Sequence, residues 1–145
     1  MTTLTLDNSI SITRGALEKS AELNTAPLTV AILDQGGKLI SLQRQDGSSM
    51  MRPEIAIAKA WGAVAMGKSS RSLASDAQDR PAFMSALNTL AHGNLIPVPG
   101  GVLIRNQQEE VIGAIGISGD TSDVDEACAV AGVQQAGLLA DAGTR

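Results

Sequence analysis

The sequence predicts an α+β domain, with an antiparallel sheet built from two hairpins and helices packed against it. Three observations carry this. Strand-like runs come in pairs joined by short polar turns, not singly between helices as in a βαβ fold. Between and around the pairs, the apolar pattern changes to a helical period. Composition also constrains the core. Hydrophobic residues make up 43% of the 145, yet there is one Trp, one Phe and no Tyr. Such a core is filled by Leu, Ile, Val, Ala and Met, which requires close helix–sheet contact. The length suits one domain over residues 1–145.

After a short extended start, Asp7 or Ser9 is placed to cap a first helix reaching about Leu23. Its expected buried side carries Ile10, Leu17 and Ala21, with Arg14, Glu18 and Glu22 outside. PLTVAILD then reads as a buried strand, QGGK as a turn and LISLQRQD as the return strand, with Gly36 and Gly37 setting the register. From Pro53 the alanine-rich PEIAIAKAWGAVAMGK reads as a helix, and residues 69–80 as a turn or short helix. FMSALNTLAH is a further short helix stopped by Gly93. GGVLIR, the turn NQQEE and VIGAIGISG form the second hairpin, and TSDVDEACAVAGVQQAGLLA is the expected terminal helix. Ser122 and Asp125 approximate a capping box at its start.

Glycine weakens strand interiors, so the second hairpin poses a question. Strict alternation puts Val111, Gly113, Ile115 and Ile117 on one face and Ile112, Ala114, Gly116 and Ser118 on the other. The second face shrinks along its length, so either a helix or a ligand comes close there. The spacing G-x-x-G-x-x-G at 113, 116 and 119 is not the dinucleotide fingerprint. GISGD running into TSDVD could hold an anion on free helix N–H groups, or be a glycine turn capped by its own acids. Ser118 imitates a nucleophile elbow but lacks the second glycine in its proper place.

Net charge is −4, with no basic run and no aromatic stacking platform, so nucleic acid is not an expected partner. The lone Cys128 forms no intramolecular disulfide and no metal-ligand spacing. No apolar run approaches a membrane span and no leader pattern opens the chain, so a cytoplasmic location is expected. His92 is the single histidine. It reads either as a partner of a helix dipole or as a candidate iron ligand, with Met50, Met51, Met66 and Met84 as thioether candidates. Arg44 and Asp46 lie where the first hairpin ends, and read either as a solvated strand end or as part of a site. Lys59 sits among small apolar residues, so its ammonium must snorkel, find a partner or lie at an interface. Arg44 with Lys59 beside a glycine-lined backbone would suit a carboxylate-bearing ligand.

The blocks ILDQGGKLISLQRQDG, IAIAKAWGAVAM and IPVPGGVLIRNQQEEVIGAIGISGDTSDVDEACAVAG, taken together, resemble the GlcG/HbpS family. That family includes the haem-binding C-terminal domain of PduO-type proteins, and the match runs over roughly residues 8–140. The resemblance implies a profilin-like sandwich and a homo-oligomer, tetramer or octamer, with haem as a candidate cofactor. Asp34, Gly36 and Gly37 match its first turn, and Arg44, Asp46 and Gly47 its R-x-D-G block. Lys59 and Ala60 match its helix block. Pro99, Gly100, Gly101, Ser118, Gly119 and Asp125 match the second hairpin and helix start. Gln45 stands where the family usually has Met, and Leu103 where proline is common. Haem-binding relatives can use an N-terminal histidine that this first helix lacks.

The expected function is oligomeric binding of a small oxygenated metabolite or haem. Arg44, Lys59, Gly100, Gly101, Ser118, Gly119 and Asp125 would line the site, and His92 is the candidate iron ligand. The alternatives are an enzyme using Lys59 with Asp46 or Asp125 for proton transfer beside a carbonyl, and a structural oligomer without ligand.

Overall fold

The structure is a computed structural model that describes residues 3–143. Helix α1 (Leu6–Leu23) precedes the hairpin β1 (Thr29–Asp34) and β2 (Leu39–Arg44). Three helices follow: α2 (Arg52–Met66), α3 (Ser70–Asp79) and α4 (Pro81–Leu90). The second hairpin, β3 (Gly101–Arg105) and β4 (Val111–Ser118), leads into α5 (Ser122–Gln135) and a short β5 (Leu139–Asp141). The strands form one antiparallel sheet in the order β2-β1-β4-β3-β5. The central β1–β4 pairing joins the two hairpins and sets Thr29 opposite Ser118 and Ala31 opposite Gly116.

Helices α1 and α5 cover one face, closing a core of Ile12, Val30, Ile32, Ile115, Ile117 and Val133. Helix α2 covers the other, packing Ala60 and Ala63 on Leu33, Leu103 and Ala114. A third cluster, Leu73, Met84 and Leu95, ties α3 and α4 to the α2 side.

The expected terminal helix stops early. Gly137 has φ +80, and the chain then turns back so that Leu139–Asp141 pairs with the free edge of β3. Arg105 grips Asp141 there at 3.0 Å. The apolar run LLA fits a strand as well as a helix, and the glycine decides between them.

The first helix starts and faces differently from the expectation. Its cap is Thr5, whose hydroxyl accepts from the Asn8 N–H at 3.0 Å while Asn8 Oδ1 accepts from the Thr5 N–H. Its buried face is Ser9, Ile12, Thr13, Gly15, Ala16 and Ser20, whereas Ile10 is 42% exposed. The Ser9 and Thr13 hydroxyls donate to Leu6 O and Ser9 O inside the helix, which lets them be buried. Small residues let α1 and α5 touch. A side chain at Gly132 would strike the Ile12 carbonyl and come within 2.9 Å of the Ala16 nitrogen.

Alternation along β4 is also broken, by a bulge. Ile104 pairs with Gly113 but Arg105 with Val111, so Ile112 is turned out of sequence. Ile112 joins Ile115 and Ile117 in the α1–α5 core, and Val111 packs on the α2 side with Ala114. The small face of Ala114, Gly116 and Ser118 lies against α2. A Cβ on Gly116 would run into the Ala56 carbonyl, and one on Gly101 into the Lys59 carbonyl. What comes close to the glycines is therefore a helix backbone.

Candidate functional site

Two of the predicted site residues meet directly. Lys59 lies on the inner face of α2 and is 2% exposed, and Asp125, one turn into α5, is 1% exposed. The Lys59 ammonium donates to the Ile117 carbonyl at 2.9 Å and to Asp125 Oδ2 at 3.2 Å. The other Asp125 oxygen accepts from the Asp120 N–H at 2.9 Å. Burial holds the Lys59 ammonium below the usual lysine range, with the Asp125 carboxylate opposing that. Burial likewise raises the Asp125 carboxyl, against its backbone hydrogen bond and the Lys59 charge.

Gly100 stands over this pair, since a Cβ there would lie 2.8 Å from Lys59 Nζ. Its φ of +126 makes any side chain strained as well. Gly119 is closed in by the Pro27 and Leu28 backbone. Ser118 accepts from Arg52 Nη1 at 2.9 Å. Arg52 is the member that sequence reasoning missed. It lies seven residues before Lys59, two turns along one helix face, and that spacing was a readable signal.

The acids at the start of α5 are engaged by the protein itself. Asp120 accepts from the Ala26 and Thr121 N–H groups, which lower its carboxyl below the ordinary value. Arg71 holds Glu126 and Asp123. Asp125 and Asp120 accept from the Asp120 and Thr121 N–H groups of the turn, while α5 itself has Thr121 as its N-cap, without a side-chain hydrogen bond.

Arg44 and Asp46 lie elsewhere, along a groove between α1 and the edge strand β2. One part, about 530 Å³, is lined by Leu17, Asn24, Pro27, Arg44 and Asp46 among others. The other, about 480 Å³, is lined by Ile10, Arg14, Leu17, Glu18 and Ser41 among others. They share Leu17, Ala21 and Gln43, so the groove is continuous. Its apolar floor is the Ile10–Leu17–Ala21 stripe that the sequence assigned to the core. Gln45, at the usual methionine position, extends the β1–β2 ladder, since its Oε1 accepts from the Leu28 N–H at 2.7 Å.

His92 is exposed in the loop after α4, with φ +57. It lines a separate groove of about 330 Å³ with Met51, Glu54, Ile55 and Ile96. Met84 is buried in the third core cluster and Met66 packs against it, which removes both as ligand candidates.

A five-stranded antiparallel sheet between an α1–α5 layer and a glycine-seated α2 defines a small α+β domain with grooves on its surface. Residues 4–134 match the family described as "Haem degrading protein HbpS-like", and the chain belongs to that family. It is 31% identical over 114 residues to the corrinoid adenosyltransferase PduO of Salmonella typhimurium, covering 79% of this chain and 33% of that protein. The chain thus spans about a third of the length of this curated relative. The crystal structure of a PduOC:haem complex superposes with a TM-score of 0.85 at 25% identity, covering 94% of this chain and 97% of that one. The crystal structure of HbpS superposes with a TM-score of 0.80 at 27% identity, covering 92% and 90%.

These relatives make haem the group to test against the residues present. Iron needs an axial donor, and the two propionates of haem need cations. His92 supplies the donor, but no lysine or arginine lines its groove. Arg14 and Arg44 supply cations, but no histidine, methionine or cysteine lines theirs. Within one chain the two requirements are met in different places, so the residues do not fit an iron-ligated haem.

Proposed function

We propose that this protein binds a small carboxylate-bearing amphiphile in the groove between α1 and β2, and does so as a homo-oligomer. One observation carries the reading: an apolar floor of Ile10, Leu17 and Ala21 is flanked by the guanidinium groups of Arg14 and Arg44. A charge-assisted pair orients the carboxylate while the floor takes the apolar body. Haem belongs to this ligand class through its propionates, held without an iron bond.

The buried Lys59–Asp125 pair favours binding over proton transfer. Neither residue lines any of these grooves, and Asp46 lies in the α1–β2 groove, away from the pair. Native mass spectrometry of freshly purified protein reports the oligomer and any carried ligand together. Absorbance titration with metal-free protoporphyrin and with haem tests the site itself. Both bind with similar affinity in this account, and Arg44→Ala weakens each by about tenfold, on the order of one charge-assisted hydrogen bond. Haem binding that is unchanged in Arg44→Ala and lost in His92→Ala would contradict it.

A further inference from the structure

Most arginines of this protein are engaged by the fold itself. Arg52 donates to Ser118 Oγ at 2.9 Å, Arg71 pairs with Asp123 and Glu126, and Arg105 pairs with Asp141. Arg80 lies 4.1 Å over the Phe83 ring. Arg14 and Arg44 are the exceptions among the described residues, since neither guanidinium has a hydrogen bond, ion pair or ring contact within the chain. Both line the α1–β2 groove, one in each of its two parts. Those parts meet at Leu17 and Ala21 of α1 and Gln43 of β2, so the shared section has an apolar floor. The acids of the groove leave the two arginines free. Glu18 accepts from Gln135 Nε2 at 2.8 Å, which ties it to α5. Asp46 lines the same part as Arg44 and forms no ion pair with it.

We propose that the ligand of this groove is a linear dicarboxylate, with one carboxylate on Arg14, the other on Arg44, and an apolar chain over Leu17 and Ala21. This rests on the carboxylate reading of the groove and adds a second anchor to it. A guanidinium presents a planar fork of donors that matches a carboxylate in two parallel hydrogen bonds. One arginine without an internal partner in each part therefore suits one carboxylate at each end. The positions of the two arginines set the length. Ser41 lines the same part as Arg14, and Arg44 lies three residues further along β2, a rise of about 10 Å. An extended dicarboxylate of suberate length comes close to that span, and the flexible arginine side chains take up the difference. Succinate is too short to engage both.

Isothermal titration calorimetry of the full chain with suberate, octanoate and succinate tests this. Octanoate has the same chain as suberate and one carboxylate fewer. At low ionic strength suberate should bind about tenfold more tightly than octanoate, although octanoate is the more apolar of the two. Succinate should bind more weakly than suberate. Arg14→Gln and Arg44→Gln should each lower suberate to the affinity of octanoate. Octanoate itself should change by no more than about twofold in either variant, since either arginine serves a single carboxylate. Both arginines are exposed, so the circular dichroism spectrum and melting temperature of the variants should be unchanged. Octanoate binding with suberate no tighter overturns the dicarboxylate assignment and leaves the groove reading standing. Binding of neither overturns both. A suberate advantage that survives in both variants puts the second carboxylate elsewhere and also overturns the assignment.

Discussion

Lys59 and Asp125 lock three elements at one point, because the ammonium reaches α5 through Asp125 and β4 through the Ile117 carbonyl. Two charges withdrawn from water are tolerable only as a pair. Lys59→Met alone therefore leaves a buried carboxylate without its partner and should cost about 3–5 kcal/mol. The double change Lys59→Met with Asp125→Leu should cost less than the sum of the two single changes by about 2 kcal/mol, as read from urea unfolding. Additive costs would mean that the charges do not couple. That Lys59 needed a partner was legible from its apolar neighbours. The sequence named Asp46 and Asp125 as alternative companions of Lys59. Which of them it meets was not legible, because Asp125 lies 66 residues away and reaches it only once the hairpins have paired. The sequence paired Asp125 with Ser122 as a capping box, but the N-cap of α5 is Thr121, with no side-chain cap, and the Asp125 carboxylate instead accepts from the Asp120 N–H in the turn before the helix. One carboxylate serves both ends of the arrangement.

At the scale of elements, the glycines of β3 and β4 set how near α2 can come. Gly116 admits the Ala56 carbonyl and Gly101 admits the Lys59 carbonyl, so backbone rests on backbone. The alanines of α2 follow from this, since larger side chains at Ala56, Ala60 and Ala63 would hold the helix off the sheet. Gly116→Ala would have to push α2 away and should destabilise by about 1–3 kcal/mol, the range for overpacking a well-filled core. A melting temperature unchanged by this substitution would refute the seat. The sequence showed that something approaches this face, and alanine enrichment alone did not say what. The element errors have physical causes. The β4 bulge reverses the facing of Val111 and Ile112, and no periodicity can anticipate an inserted residue. The α1 face was misread because Ser9 and Thr13 satisfy their hydroxyls inside the helix and so can be buried, leaving Ile10 outside.

Over the whole molecule, two opposed helical layers divide the roles. The α1–α5 layer closes the larger core and, with edge strand β2, frames the α1–β2 groove. The α2 layer carries the buried ion pair on its inner face and the His92–Met51 groove on its outer one. No helix among the described residues is long and apolar enough to cross a membrane. The layered antiparallel architecture and both hairpins were readable from turn chemistry and alternation. The α1–β2 groove was not. Its floor is the Ile10–Leu17–Ala21 stripe, and a sequence pattern cannot distinguish an apolar stripe that is buried from one left open for a ligand. Hydrogen–deuterium exchange with and without metal-free protoporphyrin tests the central claim most directly. The account predicts slowed exchange in peptides covering residues 10–27 and 41–46. Protection confined to residues 50–58 and 90–97, or no protection at saturating ligand, would contradict it.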